Sequence, residues 1–369
     1  MDIMHYVGLD IHKKTISFCV KLADGTIVRE GVVKATRKDL DRWMATLPRP
    51  WMAAMEATIF TSWVYDHLLP HGAAVKVAHP LMLRAITAAK RKNDRIDAGK
   101  IADLLRVNLL PECYMAPQEL RDLRRSLRYR NLLVRQSTQM KNKVSGLLME
   151  SGIEYSKQKL HQKQYFSELL KRKGEEQLPP SLTPLLELSR TTIETTQKME
   201  RQIVRGLQQD PLLAERIERL LTIPGVGPIT GLTWALETGE PGRFSSVKQA
   251  VSYCGLCGSE DSSAGKQKRT PISKQRNKHL QSVLIEAAKL APRYNLELAQ
   301  VYQQAKDKSN YNRATLAVAR KMVAYLLAVD RRKTGFVIPP AEKVVSAEKV
   351  ASAEKVASAE KVASVEKVA

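Results

Sequence analysis

His5-Tyr-Val-Gly-Leu-Asp10, Thr15-Ile-Ser-Phe-Cys-Val-Lys-Leu22 and Ile27-Val-Arg-Glu-Gly-Val-Val-Lys34 are three short runs in which β-branched, aromatic and other apolar residues dominate. Ala23-Asp-Gly-Thr26 separates the last two with the chemistry of a tight hairpin turn. Together they predict a β-meander whose first strand ends in an acid. Outward from it, Arg37 to Leu47 reads as a helix and Trp51-Met-Ala-Ala-Met55 as a strand closed by Glu56. Thr61 to Leu69 reads as a second helix and Ala74 to Ala78 as a further strand. Three antiparallel strands followed by alternating helix and strand predict a mixed α/β sheet.

The acids are the chemically informative residues of this region. Asp10 and Glu56 each end an apolar run, and Asp94 and Asp97 open a probable helix, Asp94-Arg-Ile-Asp-Ala-Gly-Lys-Ile-Ala-Asp-Leu-Leu105. An i,i+3 spacing puts Asp94 and Asp97 on one helix face. Taken singly, Asp10 is an ordinary turn residue, Glu56 a strand-end charge and Asp94 a helix cap. Taken together, the four match what a hard divalent cation requires, a cluster of carboxylate oxygens. Asp103 lies six residues beyond Asp97, off its face, and is expected to be solvated surface.

Composition narrows the partners. The 369 residues allow two or three domains, and 43% hydrophobic residues suffice for real cores. Lys and Arg number 60 against 38 Asp and Glu, a formal charge of +22, which suits a long polyanion such as nucleic acid or an anionic membrane. No apolar run approaches the roughly 18 residues of a membrane span, and Met1-Asp-Ile-Met-His5 lacks the layout of a signal peptide. The expectation is a cytosolic, nucleoid-associated protein. Cys19, Cys113, Cys254 and Cys257 are too scattered for a disulfide framework. Cys254-Gly-Leu-Cys257 has zinc-like spacing but no second pair, so the cysteines are read as incidental, and His12 and His279 as surface or phosphate contacts rather than ligands.

After Pro117 long helices are expected. Leu120, Leu123, Leu127 and Val134, then Val144 and Leu148, form a broken apolar stripe. Arg121, Arg124, Arg125, Arg128, Arg130, Arg135, Lys141 and Lys143 crowd the other faces, a density that points to a nucleic-acid backbone. Leu182 to Leu207 carries apolar residues near heptad positions, which fits a weak coiled coil or a helical hairpin, and polar Lys157 to Pro180 reads as a loop. Leu221-Thr-Ile-Pro-Gly-Val-Gly-Pro-Ile-Thr-Gly231 has the form of a helix-hairpin-helix, with Gly225 and Gly227 in the turn and backbone N–H groups free to hold a phosphate oxygen. Gly258 to Asn277 reads as a hydrophilic loop dense in hydroxyls and cations, followed by a helix from Leu280 to Leu290. Residues 341–369 repeat with a period of six, which smears the valines around a helix, adds no net charge, and predicts a tail without a catalytic role.

Gly8-Leu9-Asp10, Met55-Glu56-Ala57-Thr58, Lys92-Asn93-Asp94-Arg95-Ile96-Asp97-Ala98, Ile223-Pro-Gly-Val-Gly227 and Tyr253-Cys-Gly-Leu256 followed by Ile272-Ser-Lys274 resemble the DEDD transposases of bacterial insertion sequences, the family numbered one-ten, related to the Piv invertases. The resemblance runs in order from residue 5 to about 330. It implies an RNase H-like (RuvC-like) catalytic domain over 1–115, a basic helical or coiled-coil segment over 116–210, a mainly helical transposase domain with the helix-hairpin-helix over 211–336, and the repeat tail over 337–369. It further implies that Asp10, Glu56, Asp94 and Asp97 hold Mg²⁺. A serine ahead of the Ile-Ser-Lys segment then attacks a DNA phosphate, and a structured guide RNA from the element's non-coding end directs a homo-oligomer, dimer or tetramer, to its DNA. This chain departs from the family at the serine, where Ser262-Ser-Ala-Gly265 stands in place of a Ser-Gly pair. Counting forward from Leu256 selects Ser263, and counting back from Ile272 selects Ser262. Ser263 is the expected nucleophile, with Lys266, Lys268, Arg269 and Lys274 beside it to steady the phosphate. Two other classes compete: a Holliday-junction endonuclease that needs the acids but no serine, and a non-catalytic nucleic-acid binder that needs neither.

Overall fold

In the computed structural model, which describes residues 3–87, 93–172, 178–263 and 266–337, the chain divides into a unit ending at Gln118 and another beginning at Glu119. The six-residue repeat, Lys92 and the pair Ala264-Gly265 lie outside the described residues, as do the side chains of Ser262, Ser263, Lys266, Lys268 and Arg269.

The first unit is built on a five-stranded sheet in the order β3-β2-β1-β4-β5. Its strands are β1 (His5–Ile11), β2 (Thr15–Lys21), β3 (Ile27–Lys34), β4 (Trp51–Glu56) and β5 (Ala74–Ala78). The first three form the antiparallel meander, and β4 and β5 add to β1 in parallel. Helices α1 (Arg37–Ala45), α2 (Thr61–Leu68), α3 (Pro80–Thr87) and α4 (Asp94–Arg106) complete it. Strand alternation sorts the side chains of β1 and β4 into two layers. Val7, Leu9, Ala53 and Met55 enter a core with Leu40, Trp43, Val64 and Leu68. Tyr6, Met52 and Ala54 face the other way, against Ile101, Leu104 and Leu105 of α4.

Gly8 explains how closely α4 lies on β1. A side chain there would run into the backbone of Ala98 and Ala102, so only glycine lets the helix sit down on the strand. Helix α4 begins where it does because Asn93 caps it, its side chain accepting the Ile96 amide at 2.8 Å. Asp94 and Asp97 fall in its first turn, where carboxylates are favoured by the helix dipole. Asp103 is not free surface as its position predicted. Lys21, itself buried, donates to it at 2.6 Å and Arg106 at 2.8 Å. Burial raises its pKa, but these two cations outweigh that and hold the carboxyl below its usual range. Spacing along the helix had no means of showing a partner 82 residues away.

The second unit is mostly helical: α5 (Gln118–Glu150), α6 (Lys163–Leu170), α7 (Leu182–Gln209), α8 (Ala214–Leu221), α9 (Pro228–Thr238), α10 (Val247–Tyr253), then, after two strands, α11 (Lys278–Leu290), α12 (Leu296–Asp307) and α13 (Tyr311–Arg332). The outer ends of α5 and α7 enclose a core of Val144, Leu148, Leu186 and Ile193. Helix α6 closes that core with Phe166 and Leu169, inside the stretch whose polarity predicted a loop. The two faces of α6 differ, and the buried one was hidden by Lys, Gln and Glu on the other. The hydrophilic stretch after Leu256 is likewise no open loop: its backbone forms the hairpin β6 (Gly258–Ser263) and β7 (Lys266–Ile272), with Ser262 opposite Gln267 and Ser263 opposite Lys266. Its strands, Gly-Ser-Glu-Asp-Ser-Ser and Lys-Gln-Lys-Arg-Thr-Pro-Ile, carry no apolar alternation, so the usual sequence signal of a strand is missing.

Two buried acids tie the main core of this unit together. Glu237 on α9 is 1% exposed and takes a two-pronged contact from Arg128, both arms 2.8 Å, and a third bond from the Asn277 side chain at 2.8 Å. Asp330 on α13 accepts from Arg216 at 2.8 and 2.6 Å and from the Trp234 indole at 2.9 Å. Such fully bonded charges are the form in which a core tolerates them.

Candidate functional site

The residue pairs of β1 and β4 run in register from His5 with Trp51 to Leu9 with Met55. Asp10 and Glu56 are the residues that follow the last of these pairs on the two strands. Both belong to the even-numbered face, the one α4 covers. Seating α4 at Gly8 brings its first turn to the same corner, with Asp94 and Asp97. The four acids thus come from three elements, and the contact at Gly8 is what lets the helix deliver its pair.

The geometry is more selective than a square of four. Asp10, His12 and Asp94 form a group whose donor atoms all lie within 4.8 Å of one another, the one such His, Cys and carboxylate group among the described residues. His12 Nε2 stands 3.3 Å from Asp10 Oδ2 and 3.4 Å from Asp94 Oδ1. Glu56 and Asp97 are not members of this group; the charge of Asp97 still acts on Asp10, and Lys100 Nζ lies 3.6 Å from Asp97. Thr61 hydroxyl donates to the Glu56 carbonyl at 2.8 Å, which shapes the turn out of β4.

Electrostatics sets Asp10 apart. Burial raises its pKa first, His12 draws it down, and the charges of Asp94 and Asp97 push it up, so that the carboxyl ends above its ordinary value. A cation placed among these oxygens would relieve that repulsion, and an oxygen-rich donor set with one imidazole is chemically fit for a divalent ion. His12 was expected to be an exposed surface or phosphate contact. It is half exposed, yet it sits between two of the acids. The sequence signal was available as Asp10-Ile-His12, two residues apart at a strand end, though nothing local tied it to Asp94.

The second candidate site lies within the helical unit. Helices α8 and α9 are joined by a turn through Gly225, in the stretch where the sequence has the form of a helix-hairpin-helix. Gly225 has φ +85°, and a methyl group there would meet Ala291 Cβ at 2.7 Å, so the turn needs glycine twice over. Gly227 stands at the cap of α9 with no side-chain bond to the first-turn amides, and space is open beside it. Gly227, Ile229 and Thr230 line a groove of about 1070 Å³ together with residues of α5 and α11. Arg135, Lys278 and His279 bring positive or neutral donors to it, and Val226, Ile229, Leu290 and Tyr294 make its apolar part. His279 is held below its usual pKa by burial and by Arg128, Lys278 and Arg135, against the pull of Glu237.

The arginines of α5 divide. Arg124 donates to the Leu236 carbonyl at 2.6 Å and Arg128 holds Glu237, so both are engaged with α9. Arg121 is half-buried, and Arg125 is exposed beside Asp122 at 3.1 Å. Lys274 is exposed. Cys254 is buried and its thiol pushed up to about 12 by that burial, which suits a core residue and not a thiolate ligand.

Comparison with known proteins agrees with both ends of the chain. A DEDD transposase family model of the IS110 type matches residues 7–152, and the model described as the Transposase IS116/IS110/IS902 family matches 217–303. The transposase for insertion sequence element IS1328 of Yersinia enterocolitica is 27% identical over 289 residues, 77% of this chain and 83% of that protein. The transposase for insertion sequence element IS1111A of Coxiella burnetii is 25% identical over 336 residues, 89% and 90% of the two chains. A probable family 20 transposase of Pseudomonas aeruginosa is 26% identical over 292 residues, 78% and 84%.

Proposed function

The chain belongs to the IS110 family of DEDD insertion-sequence transposases and is a DNA transposase, and from that premise we propose that it recombines DNA at specific sites under the direction of a structured RNA. The observation that carries this reading is the acid corner: Asp10 on β1 and Asp94 on α4 meet across His12, and the charge of Asp97 acts on Asp10, where α4 packs on β1 at Gly8. On this reading the first unit is an RNase H-like, RuvC-like domain, and Asp10, Glu56, Asp94 and Asp97 hold Mg²⁺ there. The metal, when bound, neutralises charge on the phosphoryl oxygens and favours the ionised form of an attacking oxygen.

Ser263 supplies that oxygen. Its Oγ forms a bond to phosphorus, the deoxyribose oxygen of the cut strand leaves with a proton, and the hydroxyl proton passes to water. A phosphoserine conserves the energy of the phosphodiester for rejoining, which plain hydrolysis would lose. Lys266, Lys268, Arg269 and Lys274 neutralise the phosphate as charge develops. The first-turn amides of α9 beyond Gly227, with Arg135 and Lys278, hold a backbone phosphate of DNA or guide RNA. Arg121 and Arg125 extend that contact along α5, while Arg124 and Arg128 position α9. The protein acts as a homo-oligomer on DNA.

The test is a denaturation-resistant protein–DNA adduct formed by the full chain with its RNA, DNA and Mg²⁺. Asp10→Ala, Glu56→Ala, Asp94→Ala and Asp97→Ala are each expected to abolish it while RNA binding persists, and Ser263→Ala to abolish it while Ser262→Ala does not. Loss with Ser262→Ala alone moves the nucleophile by one residue. An active wild type that leaves no adduct removes the serine chemistry and promotes a RuvC-like endonuclease.

A further inference from the structure

His12 has no part in the chemistry assigned above, yet its ring stands against two of the acids. Strand β1 ends at Ile11, and the His12 amide donates to the Thr15 carbonyl at 2.9 Å, closing the turn into β2. That bond fixes the backbone at 12, and the imidazole returns over the strand end to the two carboxylates.

Two roles fit it, a hydrogen-bond partner of Asp10 and a ligand beside it. A charge-assisted N–H···O bond has its atoms about 2.7–2.9 Å apart. His12 Nε2 is at 3.3 and 3.4 Å, longer than that on both sides. Neighbouring ligand atoms of an octahedral ion bound at about 2.1 Å stand about 3 Å apart, √2 times the bond. Three donor atoms from β1, the β1–β2 turn and α4 lie within 4.8 Å of one another, and the two separations that involve His12 Nε2, 3.3 and 3.4 Å, are close to that edge. The side chain is also half exposed, so its other ring nitrogen can carry the proton and meet water, leaving Nε2 as the donor of a lone pair.

We propose that His12 is a nitrogen ligand of the divalent ion held by Asp10 and Asp94, and that it gives this corner a preference for Mn²⁺ over Mg²⁺ that carboxylates alone would not confer. This rests on the reading that the acids bind a divalent ion. Mg²⁺ favours oxygen donors and keeps its water, whereas first-row transition ions accept imidazole readily. A carboxylate corner with one imidazole therefore discriminates between the two by ligand type rather than by size. The ion proposed for catalysis and the ion bound most tightly need not be the same.

The experiment uses the full chain, freed of metal and without nucleic acid, so that no readout depends on recombination. Mn²⁺ is titrated in and followed by electron paramagnetic resonance, and the bound ion is examined for ¹⁴N coupling by pulsed methods. Wild type is expected to bind Mn²⁺ with clear ¹⁴N coupling. His12→Ala, a change at a half-exposed turn residue, is expected to lose the coupling, to bind Mn²⁺ more weakly by on the order of tenfold, and to let Mg²⁺ displace Mn²⁺ at correspondingly lower concentration. Mn²⁺ that binds wild type without nitrogen coupling, or coupling that survives His12→Ala, overturns the assignment of His12 and leaves the acid site standing. Failure to bind Mn²⁺ at all, or binding undiminished in the Asp10→Ala and Asp94→Ala double variant, overturns the metal site and this inference with it.

Discussion

Asp10 in the sheet unit and Glu237 in the helical unit are both carboxylates withdrawn from water, and their surroundings act on them in opposite directions. Asp10 has two more acids close enough to repel it and one imidazole to offset them, and its pKa is raised. Burial raises Glu237 as well, but the two-pronged Arg128, the Asn277 amide and the charge of Arg124 outweigh it, and its pKa is lowered. In the helical unit every arm of the acid meets a donor, which is how a core holds a charge for the sake of packing. In the sheet unit Asp94 and Asp97 repel Asp10, an arrangement that works against folding and fits the cation site proposed above.

That contrast can be broken most forcefully at Glu237. Replacing it with alanine strips Arg128 and Asn277 of their common partner and is expected to cost on the order of 3 kcal/mol, read as a lowered urea midpoint of the helical transition. The sign of its pH dependence follows from the lowered pKa: the contribution is present above the ordinary carboxylate range and disappears as pH falls through the folded value. A loss independent of pH would mean that packing, not charge, is what Glu237 supplies.

Asp10→Asn is the opposite case and has a smaller effect. With its pKa raised, the ionised carboxylate disfavours the folded state, so that stability is fully present below the ordinary carboxylate pKa and is lost as pH rises through the folded value. The asparagine variant without metal is therefore expected to melt higher than wild type at neutral pH and to converge with it in acid, while forming no adduct with DNA. Melting lower at pH 7 would show that the acid corner is bonded as securely as Glu237.

Arg125→Ala is expected to change least. Its guanidinium is 75% exposed beside Asp122, and such surface pairs contribute about 0–1 kcal/mol. Stability should hold within that range, while RNA binding by the full chain should lose about one unit of its salt slope. An unchanged slope would place Arg125 among the arginines that serve the protein's own structure, with Arg124 and Arg128.

What could be read directly from the residues was everything governed by neighbours along the chain. Apolar runs around Asp24-Gly25 wrote the meander, and Asp94-Arg-Ile-Asp97 marked the start of α4, although Asn93 and not Asp94 is its cap, because hairpin turns and helix starts are settled within a few residues. The acids stood out for the same reason, each at or near an end of such an element. Tertiary structure alone decided which charges meet. Arg128 and Glu237 are 109 residues apart, Lys21 and Asp103 are 82, and His12 reaches Asp94 only because Gly8 leaves room for α4 on the strand. Charge density on α5 was legible, but not which of its arginines turn inward. A side chain's partner across space depends on how elements pack, and packing answers to volume and to the few glycines that permit close approach, neither of which has a period that the sequence displays.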